Sequence, residues 1–161
     1  MTRLIVAAAF AAGFVAFPLS AQTPPPPPYG IGIQLDAAKK ALAAAEAEAK
    51  KNSWPVAIAI VDSSAKLVAF SKMDNTQHAS VDIAIGKAVT ANNLKRPTKA
   101  LQDSIEKGGV NLRILGQPGI TPLEGGVPII VEGKIVGAIG ASGVLSNQDA
   151  EVAMAGAAAL K

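Results

Sequence analysis

The chain contains no cysteine, so thiol nucleophiles, disulfides and Cys-bound metals are excluded from the start. Aromatic residues make up only 4%, too few for the stacking platforms that hold single-stranded nucleic acid. The formal charge is a modest +3, and the lysines and arginines are dispersed among acidic residues rather than gathered in a block. No nucleic-acid partner is expected from such a surface. Histidine occurs once, at His78, which excludes His-rich metal sites and leaves any Ser-His-Asp triad dependent on one residue. No EF-hand loop, HExxH pattern or internal repeat is present, and strands do not alternate with helices in the manner of a dinucleotide-binding fold.

One long apolar run is present, Leu4 to Phe17, after a short start containing Arg3 and before Pro18 and the small residues Leu19-Ser20-Ala21. This is the grammar of a cleaved secretory signal peptide over 1–21. The run is shorter than the ~20 residues a spanning helix needs. The expectation is a periplasmic or secreted protein with no membrane span after cleavage. A stiff proline-rich linker follows over 22–33, with five consecutive prolines from Pro24 to Pro28. A single domain over 34–161 remains, long enough to bury a core without disulfides.

Within that domain the spacing predicts a helix over 36–51, capped by Asp36, with Leu35, Ala38, Leu42, Ala45 and Ala49 on one stripe. Strands at 56–61 and 66–70, joined by Asp62-Ser63-Ser64-Ala65, must pair antiparallel because the link is so short. Helices follow at about 77–92 and 98–107, then an irregular piece at 111–120. A second hairpin spans 127–131 and 135–144 across Glu132-Gly133-Lys134, and Ser146-Asn147-Gln148-Asp149 opens a last helix. Two antiparallel hairpins with helices before, between and after predict an α+β domain with a helix-covered antiparallel sheet.

Several residues could carry chemistry. His78 sits near a helix start, where the dipole favours the neutral imidazole that ligates metals. It is read either as an exposed histidine at a helix start or as an axial haem ligand or site base. Gly125-Gly126, at a strand entrance, reads as a tight turn or as a shallow anion cradle, with Arg96 and Arg113 as its cationic partners. Asp62, Asp74 and Asp82 occupy capping and turn positions, and Gly137, Gly140 and Gly143 read as packing glycines in a strand rather than a GxGxxG loop.

The fragments Ala59-Ile60-Val61-Asp62, Ala79-Ser80-Val81-Asp82-Ile83-Ala84, Lys87-Ala88, Arg96-Pro97-Thr98, Gly125-Gly126-Val127-Pro128-Ile129, Gly137-Ala138-Ile139-Gly140-Ala141-Ser142-Gly143 and Gln148-Asp149 stand in a specific order and spacing. In these the chain resembles the GlcG and HbpS-like family of haem-degrading or DUF336 domains, related to the C-terminal domain of PduO. The resemblance covers 34–161. It implies a profilin-like three-layer α/β/α domain with a five-stranded antiparallel sheet, usually a homo-oligomer of up to eight subunits. It further implies haem or another small molecule as ligand and, for the secreted branch, a sensor protein as partner. On that reading His78 is the iron ligand, Lys95, Arg96 or Arg113 pairs with the propionates, and the protein is a binder rather than a true enzyme. The alternatives are an enzyme or accessory for a small carboxylate or aldehyde, using Gly125, Gly126, Arg96 or Arg113, and a signalling module that binds a protein partner.

Overall fold

The computed structural model describes residues 24–160. The expected signal segment, 1–21, lies outside the described residues. Helix α1 (Leu35–Lys51) begins beside Gln34, while Asp36 sits in the first turn near the positive end of the helix dipole instead of capping it. Its buried stripe is Ala38, Ala41, Ala45 and Ala49, small enough for the backbone to approach its neighbours closely. At the other end Asn52 Nδ2 donates to the Glu48 carbonyl at 2.9 Å and so closes the last turn.

Strands β1 (Ala57–Asp62) and β2 (Leu67–Lys72) pair antiparallel. The link is an Asx turn in which Asp62 Oδ1 accepts from the Ser64 and Lys66 N–H groups at 2.8 and 2.9 Å. Helices α2 (Ser80–Asn93) and α3 (Lys99–Glu106) follow, then a 3-10 helix over Gly109–Gly116. The second hairpin joins β3 (Gly126–Val131) to β4 (Lys134–Ser142). Its two loop residues, Glu132 (φ 49°) and Gly133 (φ 72°), are both left-handed, as a type I′ turn requires. Helix α4 (Ser146–Ala158) ends the domain. Gln148 supports its start by accepting the Leu145 N–H at 3.2 Å.

The sheet runs in the order β2-β1-β4-β3, all antiparallel. Pro128 is tolerated because β3 is an edge strand. Alternation along β1 divides the core. Ile58 and Ile60 face the alanines of α1 and Val152 and Ala153 of α4, whereas Ala57, Ala59 and Val61 face Ala84, Ala88 and Ala91 of α2. Helices therefore cover both faces of the sheet.

The sheet has four strands, not the expected five. The residues between α3 and β3, Gly109–Gly116, coil into the 3-10 helix instead of laddering. The proline-rich leader comes closest to a fifth strand. Pro28, Gly30 and Ile33 exchange three backbone hydrogen bonds with Ile135 and Val136, at 2.7–2.9 Å. Prolines 24–28 carry no N–H to extend that ladder, and a single parallel bridge, Tyr29 to Ile135, is what forms. Among the described residues no helix is long and apolar enough to cross a membrane.

Candidate functional site

A lysine falls on the buried stripe of α2. Ala84, Ala88 and Ala91 face the sheet, and Lys87 lies among them, 1% exposed. Its Nζ reaches across to α4 and donates to Asp149 Oδ2 at 2.8 Å and to the Ala141 carbonyl at 3.0 Å. Asp149, 2% exposed in the first turn of α4, also accepts the Val144 N–H on Oδ1 at 3.2 Å. Taking two charges out of water is costly even when they are paired. Burial pushes Lys87 below the ordinary lysine range, against the opposing pull of Asp149. Burial likewise pushes the Asp149 carboxyl up, against the bond from Lys87. Both displacements lower the cost of the neutral form of each partner, within an ion pair held by its 2.8 Å bond.

Above the pair opens a cleft of about 180 Å³ lined by Gln77, Ser80, Ser142, Ser146 and the pair itself. Gln77 Nε2 bridges its rim to the Gly143 carbonyl at 3.4 Å. Gly125 packs against the pair. A Cβ there would lie 2.8 Å from Lys87 Nζ and 2.8 Å from the Ala141 oxygen, and its φ of +125° suits glycine alone. Gly126 is equally filled. Its N–H is donated to Thr98 Oγ1 at 2.9 Å, and its carbonyl accepts the Thr98 N–H at 2.9 Å. The two glycines thus make room for Lys87 and Thr98, where the sequence offered either a tight turn or an open anion cradle.

The other expected site residues are spread around the domain. His78 is exposed in the turn before α2. Thr76 does not cap that helix: it is buried, and its Oγ1 donates to the Met73 carbonyl at 2.7 Å. Helix α2 begins only at Ser80, so His78 precedes the first turn. Lys95 and Arg96 lie beyond the other end of α2. With 14 residues in that helix, roughly 20 Å separates them from His78. Lys95 places its ammonium 4.1 Å from the centroid of the Tyr29 ring, a cation–π contact. Arg96 Nε donates to the Leu94 carbonyl at 3.1 Å. Arg113 sits exposed on the 3-10 helix, at a mainly apolar cleft with Leu101, Ile114 and Ile120. The structure therefore does not bring His78 together with Lys95 or Arg96 within the chain. Asp62 serves its turn, and among the described residues no group of three or more His, Cys, Asp or Glu could hold a metal ion.

The Lys87–Asp149 pair did have a sequence signal. A charged residue on the alanine stripe of α2 must be buried and must find a partner. What the sequence lacks is any indication of which carboxylate, 62 residues away, supplies it.

The family model described as haem degrading protein, HbpS-like, matches residues 33–158. Protein GlcG of Escherichia coli is 42% identical over 94 residues, 58% of this chain and 69% of GlcG. Among solved structures, a double mutant of Streptomyces reticuli HbpS superposes with a TM-score of 0.73 at 32% identity, covering 94% of this chain and 99% of that one. A PduOC:haem complex superposes with a TM-score of 0.74 at 26% identity, covering 81% of this chain and 96% of that one.

Proposed function

Since this chain belongs to the HbpS-like, haem-degrading family, we propose that it is an exported, oligomeric protein that binds haem or a related tetrapyrrole, with a role in haem or redox sensing. The observation that carries the reading is the likeness, over most of the domain, to a relative solved as a haem complex. Export rests on the signal-like run at 4–17 and the proline linker.

Beside His78 the chain offers apolar side chains for a flat ligand to lie against. The exposed imidazole of His78 adjoins Gln77, whose cleft is also lined by exposed Leu123 and by Val144, the residue before exposed Leu145. His78 would hold the iron there, and Leu123 and Leu145 would cover one face of the macrocycle. Bound haem would supply the redox chemistry of its iron. The cations at the far end of α2 cannot reach the same ligand within a subunit. Lys95, Arg96 or Arg113 would serve the propionates from a second copy, so the site is shared between subunits. Val110, Leu112 and Leu115, exposed along the 3-10 helix, supply apolar surface for such assembly.

Haemin titration of the purified protein and of His78→Ala, followed by Soret absorbance and by the mass of the assembly in solution, tests this. The expected result is a saturable band from an oligomer, shifted or lost in the variant. A band unchanged in His78→Ala removes the histidine from the site, and no saturable band in either protein removes haem.

A further inference from the structure

The Lys87–Asp149 pair is placed for more than packing. We propose that Lys87 captures short-chain hydroxyaldehydes in the cleft above it as a Schiff base, with Asp149 carrying the protons. The assignment uses neither His78 nor an iron, but it shares its cleft with the haem reading, so its test is run without haemin.

Five observations support it. Lys87 is almost fully buried and yet is one of the residues that line a cleft, which restricts its access to small solutes. At about 180 Å³ the cleft falls below the range of drug-sized ligands. Its walls carry the hydroxyls of Ser80, Ser142 and Ser146 and the Gln77 amide, groups that suit a hydroxylated rather than a hydrocarbon chain. Gly125 keeps side-chain atoms away from Nζ, where a Cβ would stand at 2.8 Å. Burial also lowers the cost of the neutral amine, the nucleophilic form of lysine.

The proton balance closes within the pair. In the neutral form the amine lone pair attacks the carbonyl carbon, and the C=O π pair takes the proton of the Asp149 carboxyl. A nitrogen proton then returns to the carboxylate, giving the carbinolamine. Asp149 next protonates the carbinolamine hydroxyl, the C–O bond breaks and water leaves. The product is a protonated imine facing a carboxylate, which restores the ion pair of the resting site. No oxidant, reductant or metal is needed.

The test is reductive trapping with glycolaldehyde and cyanoborohydride near pH 7 without haemin, followed by peptide mapping of hydroxyethylated lysines. An ordinary exposed lysine, with a pKa near 10.4, is neutral only to about one part in 10³ there. Lys87 is expected to be labelled at least about tenfold faster than exposed Lys107 and Lys134, and to lose that advantage in urea. In Asp149→Asn the rate at Lys87 should fall about tenfold while the exposed lysines keep theirs. A structural pin behaves otherwise: Lys87 would be protected in the folded protein and labelled no faster than Lys107, which overturns the proposal. Equal labelling of Lys87 in wild type and a folded Asp149→Asn would overturn the role of Asp149. Should that variant not fold, the wild-type comparison alone still decides.

Discussion

Replacing Lys87 by methionine and Asp149 by asparagine, singly and together, exposes the energetics of the buried pair through the sign of its pH dependence. Lys87→Met keeps most of the stem but removes Nζ, so Asp149 Oδ2 loses its 2.8 Å partner and the Ala141 carbonyl loses its donor. The backbone N–H of Val144 stays on the carboxylate. Breaking a buried pair in this way costs about 3–5 kcal/mol near neutral pH, a melting-temperature drop on the order of 10 °C or more in a domain of this size. The carboxyl, already raised by burial, rises further without the lysine. The folded state then keeps its proton to higher pH than the unfolded state, whose carboxyl titrates near 3.9. Lys87→Met should therefore be least impaired near pH 4 and should lose stability as pH rises towards neutrality.

Asp149→Asn has the opposite slope. Lys87, lowered by burial, falls further once the carboxylate is gone, while the unfolded lysine titrates near 10.4. The unfolded state binds more protons in that window, so the variant should gain stability as pH rises from neutral towards 10. In the double variant neither slope should survive. Its cost should undercut the sum of the singles by at least about 2 kcal/mol. Urea unfolding at acid, neutral and alkaline pH measures all of this. Single losses below about 1 kcal/mol, or two flat pH profiles, would refute the account of a desolvated, mutually dependent pair.

The packing glycines give a second contrast. Gly125→Ala places a methyl group against Lys87 Nζ and the Ala141 oxygen at a φ of +125°, and should cost about 2–4 kcal/mol in thermal melts. Gly133→Ala, in open space at φ +72°, should cost only about 1 kcal/mol. Thr98→Val removes the acceptor of the buried Gly126 N–H and should lower stability by about 1–3 kcal/mol in urea unfolding, with little change in the m-value. Tyr29→Phe removes the hydroxyl that donates to the Asn92 carbonyl at 2.8 Å. It should cost about 0.5–1 kcal/mol and speed limited proteolysis of the leader, while the rest of the domain resists cleavage.

The elements that could be read from the chain are those governed by neighbours in sequence. The alanine stripe of α1 and the Asp62 turn follow local periodicity and turn chemistry, and so does the type I′ turn at Glu132-Gly133. Helix α2 starts at Ser80 rather than at about residue 77, after a turn in which the Thr76 hydroxyl donates to the Met73 carbonyl. The fifth strand failed for a different reason. The leader does lie along β4, but its prolines cannot donate to the ladder. His78 and the basic residues were grouped by chemical type, and the length of α2 then held them apart.

Local sequence thus determined the elements, the antiparallel pairing and the fold family, because hydrophobic period, turn residues and short links act over a few positions. Lys87 entered that reading only within the Lys87-Ala88 fragment of the family resemblance. Only the tertiary structure decided that Asp149 is its partner, that Gly125 and Gly126 serve lysine and threonine packing, and that a small polar cleft opens onto the pair. Those relations join α2, β3 and α4, elements 38 to 62 residues apart at their meeting points. Burial makes them energetically decisive, and burial arises only when the sheet and its two helical layers close.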